Sequence, residues 1–352
     1  MKGINLYKCC GFLNHGLEFR HTKEIAVCSQ VSHVGGGNII LVRDLTEKNF
    51  SVDTIWNKKA EIVEYVKNGG IYPNCKGCTD LKDWNCKIEK PSKIKLLMIQ
   101  HWTKCNSNCI YCYTAANKNY YNKYKPANIY PILKEMQKKG YLDSNGLANF
   151  SGGEFTCLKE ADKIVKFLSK LNYFIIVNSS GVQYSRVLAE RLKKGNSCVV
   201  ISVDAGTEEV HRKVKQVKTF NKVWKNLKKY ASLQAKPYLV NCKYIIIPGV
   251  NDTMKELNLW LQNCKLAGIY SVVLGIDANF FEPNRDNIPE YILSLFDTVR
   301  VRAEAMGFKF SIANRALTML TKGKYADMFW ENYRYDDGVY SEMYFREQKR
   351  MN

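Results

Sequence analysis

The sequence predicts an α/β protein in which a partial (β/α)6 barrel follows a small, cysteine-rich N-terminal domain. From residue 94 onward, short apolar segments alternate with longer amphipathic segments. This order is typical of parallel βαβ units. Before residue 93 the alternation is absent, and six of the 13 cysteines lie there. Six strand–helix units favour one TIM-like barrel over two separate domains.

The predicted barrel has six strands with five helices between them. The strands are expected at Ile94–Gln100, Leu147–Phe150, Phe174–Asn178, Cys198–Val203, Val240–Ile247 and Ser271–Ile276. The helices are expected at Ile129–Lys139, Lys159–Leu171, Ser185–Lys194, Phe220–Ser232 and Met254–Leu266. The elements expected after the sixth strand are a helix at Pro289–Met306, a strand at Phe308–Ile312 and a helix at Leu317–Trp330. We therefore predict an N-terminal domain over 1–92, a barrel over 93–313 and a helical tail over 314–352.

Composition narrows the class of protein. The chain has 352 residues, 46% hydrophobic and 24% charged, which is typical of a globular protein. No apolar run reaches the roughly 20 residues of a membrane helix, and no signal peptide is recognisable, so we expect a cytoplasmic protein without a membrane partner. The net charge of +20 favours an anionic substrate, although a solvated lysine-rich surface is an equal alternative. No arginine-rich arm or zinc-finger spacing indicates a nucleic-acid partner.

Three cysteines lie on one loop after the first predicted strand. In a reducing compartment, clustered cysteines indicate metal or redox chemistry. Cys105, Cys109 and Cys112 have the spacing Cys-x3-Cys-x2-Cys. This spacing supplies three thiolates to a four-iron cubane and leaves one iron open for a small molecule. Zinc is the alternative, but a structural zinc ion takes four ligands.

With Tyr111 directly before the third cysteine, this loop resembles the signature of the radical S-adenosylmethionine (SAM) superfamily. The resemblance extends over about residues 93–280. It implies a [4Fe–4S] cluster, held by Cys105, Cys109 and Cys112, that binds SAM through its open iron. It also implies reductive cleavage of SAM to methionine and a 5′-deoxyadenosyl radical, which abstracts a hydrogen atom from the substrate. A flavodoxin- or ferredoxin-type protein is the implied reductant.

The resemblance continues at the ends of the later strands. Gly152, Gly153 and Glu154 are similar to the family's Gly-Gly-Glu element, in which small residues let the backbone approach the ligand and the glutamate holds the SAM ammonium. The other SAM contacts that it implies are Tyr111, Asn178, Ser179, Ser202, Asp204, Lys215 and Ile246. Many relatives carry arginine at the position of Lys215. Ile246 is the expected apolar wall for adenine, with an ordinary buried strand residue as the alternative.

The N-terminal cysteines form a second group. The predicted ligands are Cys10, Cys28, Cys75 and Cys78. Four thiolates close the coordination of either a [4Fe–4S] cluster or a structural zinc ion, and Cys9 and Cys86 are alternative ligands. The pattern is similar to the SPASM and twitch modules, which usually follow the barrel. It implies a second, auxiliary [4Fe–4S] cluster that exchanges electrons with a substrate radical.

Two substrate classes stay open. We expect an oxidoreductase or epimerase that acts on a polar small molecule, such as a sugar or an aminocyclitol, with Cys157 as a candidate hydrogen-atom donor. Modification of a ribosomally made peptide is the alternative, and a non-catalytic iron–sulfur or zinc module is a third. Cys198 and Cys242 lie on predicted strands and are expected to be buried.

Overall fold

The structure is a computed structural model that describes residues 7–28, 39–76, 81–84, 93–116, 125–280 and 288–313. The predicted tail over 314–352, with its helix at Leu317–Trp330, lies outside the described residues. The same holds for Cys78, for Cys86 and for the side chain of Cys9.

The described residues contain twelve strands and ten α-helices. The strands are β1 (Tyr7–Cys9), β2 (Gly16–Arg20), β3 (Ile25–Ala26), β4 (Ile40–Val42), β5 (Lys82–Trp84), β6 (Ile94–Gln100), β7 (Leu142–Phe150), β8 (Phe174–Ser179), β9 (Ser197–Ser202), β10 (Val240–Ile246), β11 (Ser271–Ile276) and β12 (Lys309–Ile312). The helices are α1 (Gly11–His15), α2 (Val52–Lys67), α3 (Tyr113–Ala116), α4 (Tyr130–Lys138), α5 (Ala161–Lys170), α6 (Arg186–Lys193), α7 (Glu208–Lys215), α8 (Phe220–Ala231), α9 (Met254–Leu266) and α10 (Glu290–Ala305).

Ten of the strands form one sheet in the order β12-β11-β10-β9-β8-β7-β6-β2-β3-β4. The strands from β12 to β2 are all parallel to their neighbours, while β3 and β4 are antiparallel. Within the described residues this sheet is open, because β12 and β4 form its two edges. The predicted α/β class with a large parallel sheet is confirmed.

The predicted barrel elements occur in order, with small shifts at their ends. β6, β11 and α9 have the predicted bounds, but β7 begins at Leu142 rather than Leu147. The register between β6 and β7 shifts after Ile94, because β7 contains an exposed polar insertion around Asn145, whose φ is +61°. Such an insertion interrupts the apolar pattern by which a strand is recognised. Helix α7 is not predicted from the sequence.

The N-terminal region continues the sheet of the barrel. β2 pairs in parallel with β6, from Gly16 beside Leu96 to Arg20 beside Gln100. Behind β2, Lys59 of α2 is fully buried and donates hydrogen bonds to the carbonyl oxygens of Leu13 and Gly16. The sheet therefore crosses the predicted boundary at residue 92, and the division into separate domains stays a prediction.

The two faces of the sheet have different surroundings. On β10, Cys242 and Tyr244 are buried against Trp260 of α9, whose indole N–H donates to the Cys242 sulfur at 3.1 Å. The residues of β10 that alternate with them, such as Lys243, are half-buried and face away from the helices. We call this second face the inner face. Since paired residues share a face, strand register extends the inner face from Lys243 to the other strands.

The inner face carries polar side chains on several neighbouring strands. Its members, traced through the register, include Glu18, Met98, Asn149, Ile176, Asn178, Val200, Ser202 and Lys243. In parallel α/β sheets, ligands bind at the carboxyl ends of the strands. The inner face and its carboxyl edge are thus where a functional site is expected.

Candidate active site

The cysteine loop leaves the carboxyl end of β6 and leads into α3. Cys105 is exposed, and Cys109 and Cys112 are half-buried. Although its residue is exposed, the thiol of Cys105 is desolvated by the atoms packed around it, which raises its pKa to about 11. The charges of Cys109 and Cys112 also oppose its ionisation. The thiols of Cys109 and Cys112 are thus near enough for their charges to act on that of Cys105.

The donor set of the loop is three thiols on one short segment, which is the set that a four-iron cubane with one open iron takes. Within the described ranges, no three His, Cys, Asp or Glu side chains are spaced to hold one metal ion. In a cubane each thiolate binds a different iron, so the thiols need only border a common space. The loop also buries two polar atoms that have no hydrogen-bond partner among the described residues, Asn106 Nδ2 and Ser107 Oγ. These residues fit a four-iron cluster.

Gly152 and Gly153 bring the end of β7 against the cysteine loop. A Cβ atom on Gly153 would lie 2.5 Å from the carbonyl oxygen of Lys104, and Gly152 has a φ of +119°. The Gly153 N–H donates to the carbonyl oxygen of Trp102 at 2.9 Å, and the Glu154 N–H donates to that of Lys104 at 2.9 Å. Only a residue without a side chain allows this approach.

The Glu154 carboxylate joins the ends of β7 and β8. Its Oε1 accepts hydrogen bonds from the Ser179 hydroxyl at 2.8 Å and from Thr156, and its Oε2 accepts one from the Ser180 N–H at 2.6 Å. The Ser180 hydroxyl donates to Asn106 Oδ1 at 2.8 Å, which connects β8 to the cysteine loop. The carboxylate also raises the pKa of Cys105, so it lies near that thiol.

Three of the predicted SAM contacts bind one another. Asp204 Oδ2 accepts hydrogen bonds from the Tyr111 hydroxyl, at 2.6 Å, and from the Lys215 ammonium. The ammonium also donates to the Tyr111 oxygen at 2.8 Å. The other carboxylate oxygen, Oδ1, accepts from the Ile245 N–H at 2.7 Å. The side chains of Lys215 and Asp204 are 3% and 0% exposed, so this is a buried ion pair.

The charges of this group act on the cysteine loop. Burial lowers the pKa of Lys215, but the negative charges of Asp204 and Cys109 outweigh burial, so the pKa is raised overall. Burial has the opposite effect on a thiol, and it raises the pKa of Cys109. Lys215 lowers that pKa and Asp204 raises it, so the two charges act on Cys109 with opposite signs.

The remaining predicted contacts lie on both faces of the sheet. Asn178 and Ser202 are on the inner face, where the Asn178 amide donates to Asn149 Oδ1 at 3.1 Å. Ile246 is fully buried on the face that carries Tyr244, whereas Ile245 is half-buried on the inner face. A shift of one residue along a strand moves a side chain to the opposite face.

The other cysteines of the barrel differ in their surroundings. Cys157 is half-buried in the short turn after Glu154, where burial and the Glu154 charge raise the pKa of its thiol. The expectation that Cys198 is buried is wrong, because it lies half-buried on the inner face, where Asn241 Nδ2 donates to its sulfur at 3.1 Å. Cys242 is buried, as expected.

The predicted auxiliary ligands are only partly within the structure. Cys10, Cys28 and Cys75 are buried, and the Cys10 sulfur accepts a hydrogen bond from the Leu13 N–H at 3.4 Å at the start of α1. The fourth ligand, Cys78, lies outside the described residues. The auxiliary cluster therefore stays a prediction.

Sequence reasoning missed two polar groups at the same edge. Asn251 is fully buried, and its amide donates to the carbonyl oxygens of Asp204 and Ile245, both at 2.9 Å. Asp277 directly follows β11, and burial raises its pKa. The position of Asp277 after a predicted strand was a usable signal, whereas Asn251 lies in a turn that carries none.

No helix in the described residues is long and apolar enough to cross a membrane.

Residues 99–261 match the family model of the radical SAM superfamily. The chain is 28% identical over 165 residues to the GTP 3′,8-cyclase of Clostridium botulinum strain Hall, which covers 46% of this chain and 50% of that one. It is 25% identical over 205 residues to an uncharacterised protein of Methanocaldococcus jannaschii, which covers 56% and 62%. The chain thus spans about half the length of the curated cyclases it matches.

Solved structures show the same fold. SuiB of Streptococcus suis, bound to its precursor peptide SuiA, has a TM-score of 0.51 at 13% identity, with 85% of this chain and 62% of that chain covered. SuiB without the peptide has a TM-score of 0.50 at 13% identity, with 79% and 59% covered.

Proposed function

Because this protein carries a radical SAM domain over residues 99–261, we propose that it is an enzyme that cleaves SAM reductively at the carboxyl edge of its sheet. Cys105, Cys109 and Cys112 would hold the [4Fe–4S] cluster. When bound, that cluster supplies an electron to SAM, which yields methionine and a 5′-deoxyadenosyl radical. The observation that carries the proposal is the packing of the three-thiol loop directly on Gly153 and Glu154.

Glu154 is the proposed partner of the SAM ammonium. Its Oε2 accepts a single hydrogen bond from the described residues, from the Ser180 N–H, so a second lone pair remains for a cation. Glu154 is 2% exposed, and a charge-assisted hydrogen bond is stronger in such a site than in water. Ser179 orients the carboxylate from the opposite oxygen.

The inner face is the proposed wall of the site for adenosine and substrate. Asn178 and Ser202 supply hydrogen-bonding groups near the carboxyl edge, and Ile245 supplies an apolar contact where the sequence suggested Ile246. Parallel barrels place their chemistry at this edge, where several strands contribute side chains to one site.

The proposed reaction is oxidation or epimerisation of a polar small molecule of the sugar or aminocyclitol type. The polar inner face supports a substrate that forms hydrogen bonds. Cys157, half-buried beside Glu154, would return a hydrogen atom in an epimerase. The auxiliary cluster, held by Cys10, Cys28, Cys75 and Cys78, would accept an electron in an oxidase.

The test uses anaerobically reconstituted protein with SAM and dithionite. We expect methionine and 5′-deoxyadenosine in equal amounts. Cys105→Ala should lose both products, whereas Cys264→Ala, at a buried position in α9, should keep them. Cleavage that persists in Cys105→Ala, or that is absent from iron-loaded wild-type protein, contradicts the proposal.

A further inference from the structure

The cysteine loop is attached to the last turn of α7 through the backbone. The Asn108 N–H donates to the carbonyl oxygen of Lys215 at 3.1 Å, and the Ile110 N–H donates to that of Val214 at 3.0 Å. The final carbonyl groups of a helix have no partner within the helix. The loop supplies that partner, so its position depends on where α7 ends.

Side chains connect the same loop to β9. Tyr111 lies between Cys109 and Cys112, and its hydroxyl donates to Asp204 Oδ2 at 2.6 Å. Lys215 bonds both of these groups, and its Nζ lies 5.1 Å from the centre of the Tyr111 ring. Asp204 is fixed in turn by the Ile245 N–H. A connected polar group of this kind holds its members in one arrangement.

The Lys215 ammonium already bonds to Tyr111 and Asp204. Two of its three donor positions are used by Asp204 and Tyr111, and its side chain is 3% exposed. The third donor position is enclosed with the rest of the side chain, so a SAM carboxylate could reach Lys215 only by opening the packing around the buried ion pair with Asp204. Lysine, a compact point charge, fits between Tyr111 and Asp204 without the planar fork of arginine.

We infer that Tyr111, Asp204 and Lys215 form a buried clamp that fixes the cysteine loop on α7, and that Lys215 is a positioning residue rather than a SAM ligand. The inference rests on the proposed function only in taking Cys109 as a cluster ligand. The two charges of the clamp also act on the cluster with opposite signs. Lys215 favours the more negative, reduced state, and Asp204 disfavours it.

The experiment compares Lys215→Met, Lys215→Arg and Asp204→Asn with Lys213→Met. Lys213 is the control because it lies on the same helix but pairs with Glu209 at the surface, where it is 59% exposed. Hydrogen exchange of peptides over 105–112 reports the loop. An EPR-monitored redox titration without SAM gives the midpoint potential of the cluster, and the EPR change on adding SAM gives the SAM affinity.

In Lys215→Met we expect the backbone amides of the loop to exchange hydrogen several-fold faster than in the wild type. We also expect the midpoint potential of the cluster to become more negative. Asp204→Asn should shift it to more positive values, and Lys215→Arg should restore much of the wild-type potential. The loss of one charged contact to SAM would weaken SAM binding roughly tenfold, and we expect a much smaller change in SAM affinity in these variants. Lys213→Met should match the wild type throughout.

The opposite pattern overturns the clamp. A loss of SAM affinity of about tenfold or more in Lys215→Met, with unchanged loop exchange and potential, would make Lys215 a SAM ligand. If Lys215→Met does not fold, the sign of the shift in Asp204→Asn decides, and no shift or a negative shift contradicts the inference. SAM cleavage is not among these readouts. A result that contradicts the clamp therefore leaves the proposed function standing, and the loss of the proposed function would not by itself contradict the clamp.

Discussion

Replacement of Glu18 by glutamine should stabilise the protein at alkaline pH and leave its stability unchanged in acid. Glu18 lies on the inner face in β2, is 4% exposed, and its Oε2 has no hydrogen-bond partner among the described residues. Desolvation by burial raises its pKa from 4.5 to about 7, although Arg20 acts in the opposite direction. The folded protein therefore prefers the protonated form of this carboxyl group.

The size of the effect follows from linkage. The folded state binds the proton more tightly than the unfolded state, so stability falls as the pH rises from 4.5 through about 7. At about 1.4 kcal/mol for each pKa unit, the full loss above pH 7 is about 3 kcal/mol. Glutamine has nearly the same shape and no charge, so it avoids this loss. In a chain of this size the gain corresponds to a rise in Tm on the order of 5 °C.

Thermal unfolding under nitrogen at pH 4 and pH 8 measures this difference. We expect Glu18→Gln to match the wild type at pH 4, below the unfolded pKa, and to melt at a higher temperature at pH 8. Glu61→Gln is the matched control, because Glu61 lies in α2 with its side chain 63% exposed. A difference of the same size at both pH values, or a lower Tm of Glu18→Gln at pH 8, would refute the reasoning.

Three further substitutions test particular contacts. Gly153→Ala places a Cβ atom 2.5 Å from the Lys104 carbonyl oxygen and should cost about 1–3 kcal/mol by overpacking, seen as a lower Tm and fewer irons retained for each chain after gel filtration. Glu154→Gln should weaken SAM binding about tenfold while iron content stays unchanged, as measured by the EPR change on SAM addition. Lys59→Met leaves the carbonyl oxygens of Leu13 and Gly16 without this donor and should destabilise the protein by about 2–4 kcal/mol in urea unfolding, whereas the surface variant Lys58→Met should change stability by less than about 0.5 kcal/mol.

The barrel strands were predictable because apolar periodicity identifies a buried parallel strand directly. β6 and β11 have the expected bounds for this reason. β2 was missed, although Gly16–Arg20 alternates apolar and polar residues, because it is short and directly follows α1. A strand of five residues beside a helix has too little pattern to be distinguished from a loop. As a result, the contribution of Glu18 to the inner face was not foreseen.

The sequence predicted where along the chain the site residues lie, but not which of their side chains bond to one another. The cysteine loop, Gly153 and Glu154 occur at strand ends, and their packing against each other agrees with that expectation. The bonds among Tyr111, Asp204 and Lys215 join residues up to 104 positions apart. Periodicity locates each strand but does not say which side chains meet across an edge, so these three were expected to contact SAM separately rather than one another.

In the proposed enzyme, one iron beside Cys105, Cys109 and Cys112 accepts SAM as a ligand. Electron–nuclear double resonance on the reduced cluster, with SAM carrying ¹⁵N in its amino group, tests this directly. We predict a ¹⁵N coupling that shows the amino nitrogen bound to iron and that disappears when SAM is replaced by S-adenosylhomocysteine lacking its amino group. A reduced cluster whose spectrum is the same with and without labelled SAM would contradict the claim.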